Sequence, residues 1–373
     1  MGGRRGFLIQ AALLAATLAL VALVAADVLQ NMARAGLTPG FGFLGRPANF
    51  EIGESLIPYS ASDSFARALL VGLLNTVAVA MVGCALATIL GVALGVARLS
   101  GNLLLKGLVQ AYVEVVRNTP LLLQLFFWSA TTHALPPPRQ ALTPVSTVFL
   151  TNRGLFFPWI AAEGGLAWTV LAGFAVAVAT AGYAVFRRPR NARLLLSAAA
   201  LLAAASLGAT LFGDPGLSID APRLGTFNVS GGFGISPEFL ALLAGLTVHS
   251  SAIISEVVRA GLQSVPEGQW EAAHSLGLSR GQALRLVVMP QALRVIVPLM
   301  ISSYLDLTKN SSLAVAIGFP DLVSVISTSA NQSGHAVETI LIMVAAYLAL
   351  NLSVSTVMNR YDAKLAARGF AAP

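Results

Sequence analysis

Charge is scarce in this chain: only 10% of its 373 residues are Asp, Glu, Lys or Arg, where soluble domains carry about a quarter. With 56% hydrophobic residues and a mean hydropathy of +0.77, the composition excludes a soluble globular protein and fits a polytopic membrane protein. Cysteine is reduced to Cys84, so no intrachain disulfide forms, and its place in an apolar run gives it the role of a small buried hydrophobe. Lysine is rare too. Lys106, Lys309 and Lys364 are followed by Gly, Asn and Leu, whereas a phosphate-cradling Walker loop needs Ser or Thr after its Lys. The chain therefore carries no nucleotide-hydrolysing loop of its own. His133, His249, His274 and His335 stand alone, without metal-binding spacing, and no GxSxG elbow is present, which argues against an intramembrane enzyme and for loop or packing histidines. A net charge of +7 and a pI near 10.1 do not indicate nucleic acid, because the 23 basic residues are scattered through short inter-span loops.

What is present is hydrocarbon. Apolar runs of spanning length at 7–29, 66–97, 107–134, 166–186, 194–212, 238–262, 292–317 and 336–358 predict an all-α polytopic protein with about eight transmembrane helices. Arg4 and Arg5 precede the first run, and the small residues of 22–26 leave a cleaved signal peptide as the alternative to a retained span. Counting Lys and Arg by loop places both termini, the cluster Arg187, Arg188, Arg190, Arg193 and the segment 264–290 in the cytoplasm; only Arg34, Arg46, Arg67, Arg139, Arg153 and Arg223 fall outside. Arg368 counts with the cytoplasmic tail. The predicted organisation is 1–65, a first span and an outer segment; 66–134, the first part of a helical core; 135–237, an outer loop with two inserted spans; 238–362, the rest of the core; and 363–373, a tail. Both long outer segments read as irregular caps.

Ser264–Pro290 is a polar island with two helix-start signals. Ser264 stands three before Glu267 and Ser279 three before Gln282, each the spacing of a capping box. Gly277 is expected to close the first helix in the left-handed conformation, and Pro290 to stop the second. Elsewhere the polar groups gather on four spans. Asn75 and Thr76 lie on the second; Glu114, Arg117, Asn118, Thr119 and Gln124 on the third; Ser250, Ser251, Ser255, Glu256 and Arg259 on the sixth; Ser302, Ser303, Asp306, Lys309 and Asn310 on the seventh. Charged groups at membrane depth usually face a pathway or one another. Asn118, Thr119, Gln124, Ser250, Ser251, Asp306, Lys309 and Asn310 are the candidates for a substrate path, and Pro120 is expected to open the helix there. Asp306 and Lys309, three apart, form either a substrate contact or an internal ion pair. Glu114 with Arg117 and Glu256 with Arg259 repeat the spacing as gate or structural charges. Gly91 and Gly95 form a GxxxG pair, for packing within the subunit or for dimerisation.

The order Glu271-Ala272-Ala273, Gly277, Val287, Met289, Pro290 resembles the EAA loop of ATP-binding-cassette importer permeases, with Met289 in place of the usual Leu. YVEVVRNTPLLLQLFF at 112–127 and the stretch 255–292 look like the amino-acid branch of those permeases, which includes the histidine, glutamine and general polar L-amino-acid importers. LPPPRQ and the NRGLFFP run at 152–158 resemble its longer members. The resemblance implies a type I importer permease core in the bacterial inner membrane, and transport of polar L-amino acids. It also implies coupling to a separate ATPase through Glu271, Ala272, Ala273 and Gly277, with Trp270, Leu276 and Pro290 beside them. Implied partners are a second permease subunit, two ATPase subunits holding ATP and Mg, an extracytoplasmic amino-acid-binding protein and membrane lipid; no cofactor is expected on this chain. An ion-gradient-driven transporter or channel is the alternative, against which the absence of a visible internal repeat counts.

Overall fold

The computed structural model describes residues 4–34, 40–100, 102–162, 165–187, 191–212, 217–225 and 228–365. Arg188, Arg190, Arg368 and tail residues 366–373, used above for orientation, lie outside them. The helices are α1 (Arg4–Arg34), α2 (Phe65–Ala97), α3 (Leu103–Asn118), α4 (Leu121–His133), α5 (Gly165–Arg187), α6 (Ala192–Phe212), α7 (Pro237–Gln263), α8 (Glu267–Ser275), α9 (Arg280–Ala283), α10 (Met289–Asn310), α11 (Leu322–Ser333) and α12 (Ala336–Leu365). The chain divides into two compact units, Met1–Ser129 with Ala241–Pro373, and Ala130–Leu240.

In the first unit α7 is the central helix: 56% of its span is buried, against 22% for α2 and none for α12. Its contact with α2 is set by the GxxxG pair. A Cβ on Gly91 would stand 2.6 Å from Cβ of Ile254, and one on Gly95 would stand 2.8 Å from Cβ of Val258 and 3.0 Å from the Ser255 carbonyl. The pair packs α2 on α7 within the subunit, the first of the two alternatives above. Asn75 and Thr76 do not face a pathway. The Asn75 amide donates to the carbonyls of Glu54 (2.8 Å) and Pro320 (2.9 Å), and the Thr76 hydroxyl accepts from the Leu322 amide (3.0 Å). They fasten the segment around Glu54 and the start of α11 to α2, beside a cluster of Phe43, Phe65, Leu322 and Val325.

Among the described residues five helices are long and apolar enough to cross a membrane, at 65–97, 192–210, 237–263, 280–317 and 336–360, and shorter apolar helices lie at 9–24 and 172–184. The expected third span, 107–134, is two helices. Pro120 has no N–H to give and pushes Thr119 into an extended conformation (φ −98°, ψ 128°), so α3 ends and α4 begins there.

The second unit holds the α5–α6 pair and three small antiparallel sheets in place of the irregular cap expected. Their strands are β1 (Leu142–Val145), β2 (Val148–Thr151), β3 (Gly154–Phe157), β4 (Trp159–Ala162), β5 (Leu217–Asp220), β6 (Arg223–Leu224), β7 (Val229–Ser230) and β8 (Phe233–Ile235), in the orders β1-β2-β3-β8, β4-β5 and β6-β7. Phe149 pairs with Phe156 and Leu150 with Leu155 across β2 and β3. Runs of four residues are too short for their alternation to stand out in so apolar a chain.

Candidate functional site

The 264–290 segment is held on one side and free on the other. Ala273 of α8 is 2% exposed, and Trp270 packs against the cluster of Val265, Val288, Ala292 and Ile296. Glu271 and Ala272 are exposed, and Leu276 is 81% exposed. Ala273, and in part Trp270, therefore fasten α8 to this chain's own core; Glu271, Ala272 and Leu276 form the outward rim.

The turn after α8 is a Schellman closure. Gly277 sits at φ +77°, its N–H donates to the His274 carbonyl (2.9 Å) and the Leu278 N–H to the Ala273 carbonyl (3.2 Å). Of the two expected capping boxes the second forms: Ser279 Oγ accepts from the Gln282 amide and the Gln282 side chain accepts from the Ser279 amide. The first does not. Ser264 still belongs to the last turn of α7, its N–H on the Ala260 carbonyl and its hydroxyl on the Gly261 carbonyl, so α8 starts after Pro266 with no side-chain cap.

Pro290 does not stop the second helix either. α9 passes through a π turn, Leu284–Val288, into α10 with Pro290 in its first turn, and the helix runs on without a loop. The wider π hydrogen-bond ring absorbs the N–H that proline lacks. Gln291 Nε2 donates to Gln269 Oε1 (3.2 Å), tying α10 back to α8. A cleft of about 950 Å³ lies between the end of α2 and these helices, lined by Leu99, Gln263, Glu267, Trp270, His274 and Arg280 among others.

A charged cluster lies on the turns of α7 that precede this segment. Glu256 accepts through one oxygen from Arg98 at the C-terminal end of α2, and through the other from Arg259 Nε (2.9 Å) and its terminal nitrogen (2.7 Å). Arg117 of α3 approaches the first oxygen at 4.0 Å, so one carboxylate serves three guanidiniums from three helices. Glu114 is not Arg117's partner; its carboxylate accepts from Gln110 (2.9 Å). Arg98 is the member absent from the sequence-based set of gate or structural charges. Its position after a helix end was the available signal, since a cation there favours the helix dipole.

The substrate-path candidates do not converge on one cavity. Gln124 is 8% exposed; its amide donates to the Val116 and Thr119 carbonyls (both 2.9 Å), satisfying groups freed by the break at Pro120, and meets His249 Nδ1 at 3.2 Å. Thr119 donates to the Val115 carbonyl, and Asn118 is exposed. Ser250 is buried, and Ser251, fully buried, bonds the Tyr112 hydroxyl (2.9 Å) and so joins α3 to α7. Asp306 and Lys309 form an ion pair at 3.9 Å with both side chains more than half exposed, and Asn310 closes the same helix. The described residues hold no His, Cys, Asp and Glu group suited to a metal ion.

Residues 229–367 match the family described as binding-protein-dependent transport system inner membrane component. The general L-amino acid transport system permease protein AapQ of Rhizobium johnstonii is 43% identical over 92% of this chain and 88% of its own length. The putative amino-acid ABC transporter permease protein YhdX of Escherichia coli is 41% identical over 97% of this chain and 94% of its own. The glutamate/glutamine/aspartate/asparagine transport system permease protein BztB of Rhodobacter capsulatus is 37% identical over 89% and 87%. ATP hydrolysis in such systems lies on a separate subunit, in agreement with the missing Walker loop. This chain is a multi-pass transport subunit of the inner membrane, not an enzyme, and belongs to the amino-acid permease family of ATP-binding-cassette importers.

Proposed function

We propose that the chain forms part of the pathway for polar, general L-amino acids and is driven through the 264–290 segment by a separate ATPase. The observation that carries this is the two-sidedness of α8. Its inner side is fixed by Ala273 and Trp270, while Glu271, Ala272 and Leu276 form an exposed rim beside the Gly277 turn. Glu271 is the polar contact for the ATPase, Leu276 the apolar one, Gly277 sets the angle, and Pro290 lies where the following helix changes register.

The partners are a second permease subunit, two ATPase subunits that bind ATP and Mg, and an extracytoplasmic amino-acid-binding protein. Loop charges support cytoplasmic termini and a cytoplasmic 264–290 segment. Asp306, Lys309, Asn310, Asn118 and Thr119 line the path in this reading. Glu114, Arg117, Glu256 and Arg259, joined by Arg98, hold its cytoplasmic end, and Gln124, Ser250 and Ser251 support it from within the packing.

The test is uptake by proteoliposomes containing the copurified complex. Uptake of labelled amino acids that survives dissipation of the proton gradient and stops on ATP depletion agrees with the proposal. Uptake that follows the gradient and ignores ATP overturns it.

A further inference from the structure

The second unit carries a surface that transport chemistry leaves unexplained. β4 and β5 pair with Ile160 opposite Ile219 and Trp159 opposite Asp220. Residues directly opposite share a face, and the next pair points the other way. Ile160 and Ile219 thus stand side by side on one face, 52% and 77% exposed. On the other face Trp159 meets Phe233, ring centroids 4.9 Å apart, within a cluster that includes Phe157. A lone two-stranded ribbon is marginal in water, and among the described residues this one leaves its isoleucine face uncovered.

Continuity of the chain identifies the cover. β4 ends at Ala162 and α5 begins at Gly165; α6 ends at Phe212 and β5 begins at Leu217. Three residue steps from Ala162 to Gly165 and five from Phe212 to Leu217 reach at most about 11 and 18 Å, so the ribbon stands at one end of the α5–α6 pair. That pair presents apolar side chains outward, Phe174, Val178, Leu201 and Leu207 all more than half exposed, and α6 is long and apolar enough to cross a membrane. The lipid-facing surface of the pair runs on into the ribbon. At the strand ends away from the helices, the exposed Trp159 stands opposite Asp220, whose carboxylate accepts from the Gly232 amide (2.8 Å). Apolar residues near the spans with Trp and a charge beyond them follow the polarity gradient of a bilayer interface.

We infer that the β4–β5 ribbon lies in the headgroup region of the bilayer, with Ile160 and Ile219 turned to the acyl chains. Arg187, the last residue of α5, and Arg193, in the first turn of α6, mark the opposite end of the α5–α6 pair, so the leaflet is the outer one; that clause alone rests on the orientation proposed above.

The single native cysteine makes the test direct. In a Cys84→Ala background, Ile219→Cys, and separately Ile160→Cys, is labelled with an environment-sensitive fluorophore in the full complex in lipid nanodiscs. The expected result is several-fold stronger quenching by lipid spin-labelled near the headgroup than by aqueous iodide, with the reverse at Arg153→Cys in the β2–β3 turn. Quenching by iodide but not by lipid at both isoleucine positions overturns the inference. So does shielding that arises only when the amino-acid-binding protein is added, which would make the ribbon a protein-docking face. Labelling of Ile219→Cys by a membrane-impermeant maleimide from the cytoplasmic side, with lipid quenching intact, would overturn the orientation and leave the lipid contact standing.

Discussion

Arg98 and Glu256 lie 158 positions apart in sequence and meet as an ion pair that closes the end of α2 against α7. Their side chains are 11% and 20% exposed. Removing one partner of a fully buried pair costs about 3–5 kcal/mol, and the partial exposure here reduces that to roughly 1–2 kcal/mol. Glu256→Ala strands three guanidiniums near one another and is expected to lower the thermal midpoint of the purified complex. Glu256→Asp, which keeps the charge, is expected to recover most of the loss. Equal midpoints for both variants and the parent would show that the cluster contributes nothing to stability.

The α2–α7 contact has no room for a side chain. Gly95→Leu drives a new Cβ into Val258 and the Ser255 carbonyl, an overpacking expected to cost about 1–3 kcal/mol or more. Gly107, on α3 with nothing within 4 Å, is the control. Yield of folded protein after detergent extraction should fall for Gly95→Leu and hold for Gly107→Leu.

At Gly277 the space is open and the constraint is the backbone. With φ at +77° and nothing within 4 Å of where a Cβ would stand, Gly277→Val gives the new Cβ open space but strains the left-handed residue by about 1–2 kcal/mol. Membrane insertion is expected to be normal, while ATP-driven uptake and copurification of the ATPase fall sharply. Gly277→Asn, which tolerates that conformation, should lie between. Full uptake by Gly277→Val would separate the turn from coupling.

Asp321 caps α11 through the Ser324 amide (2.9 Å) and is 1% exposed. Burial pushes its carboxyl up to about 6 against an ordinary 3.8, partly opposed by the amides it accepts from. A group whose folded pKa is raised contributes stability that is complete below the unfolded value and is lost as pH climbs through the folded one. The thermal midpoint is therefore expected to fall between about pH 4 and pH 7 by this group's share. Asp321→Asn, an equally good cap without the charge, should flatten that slope. An unchanged slope would assign the dependence to other groups.

Much of the site was legible because it rests on local chemistry. Gly277 and the Ser279 box depend on residues within a few positions, and both formed as the sequence implied. Ser264 and Pro290 each mark a helix boundary that falls elsewhere: the last turn of α7 engages the Ser264 hydroxyl, so α8 starts only after Pro266, and a π turn carries α9 into α10 ahead of Pro290. Pro120 shows the opposite outcome, a proline that does break its span. Pairings across helices were out of reach. That Arg117 turns to Glu256 and away from Glu114, or that Asn75 binds the Pro320 carbonyl, follows from which helices are neighbours, and spacing along one helix contains no such information.

The π turn makes Arg280–Ile317 one helical rod of 38 residues, roughly 55 Å from end to end. A rod without a loop carries torsion as well as thrust. One extra residue per π turn shifts the azimuth of everything beyond it by about 100°. Deleting a single residue from 284–288 would thus leave the hydropathy profile almost untouched while turning the Asp306 and Lys309 face away from its present bearing.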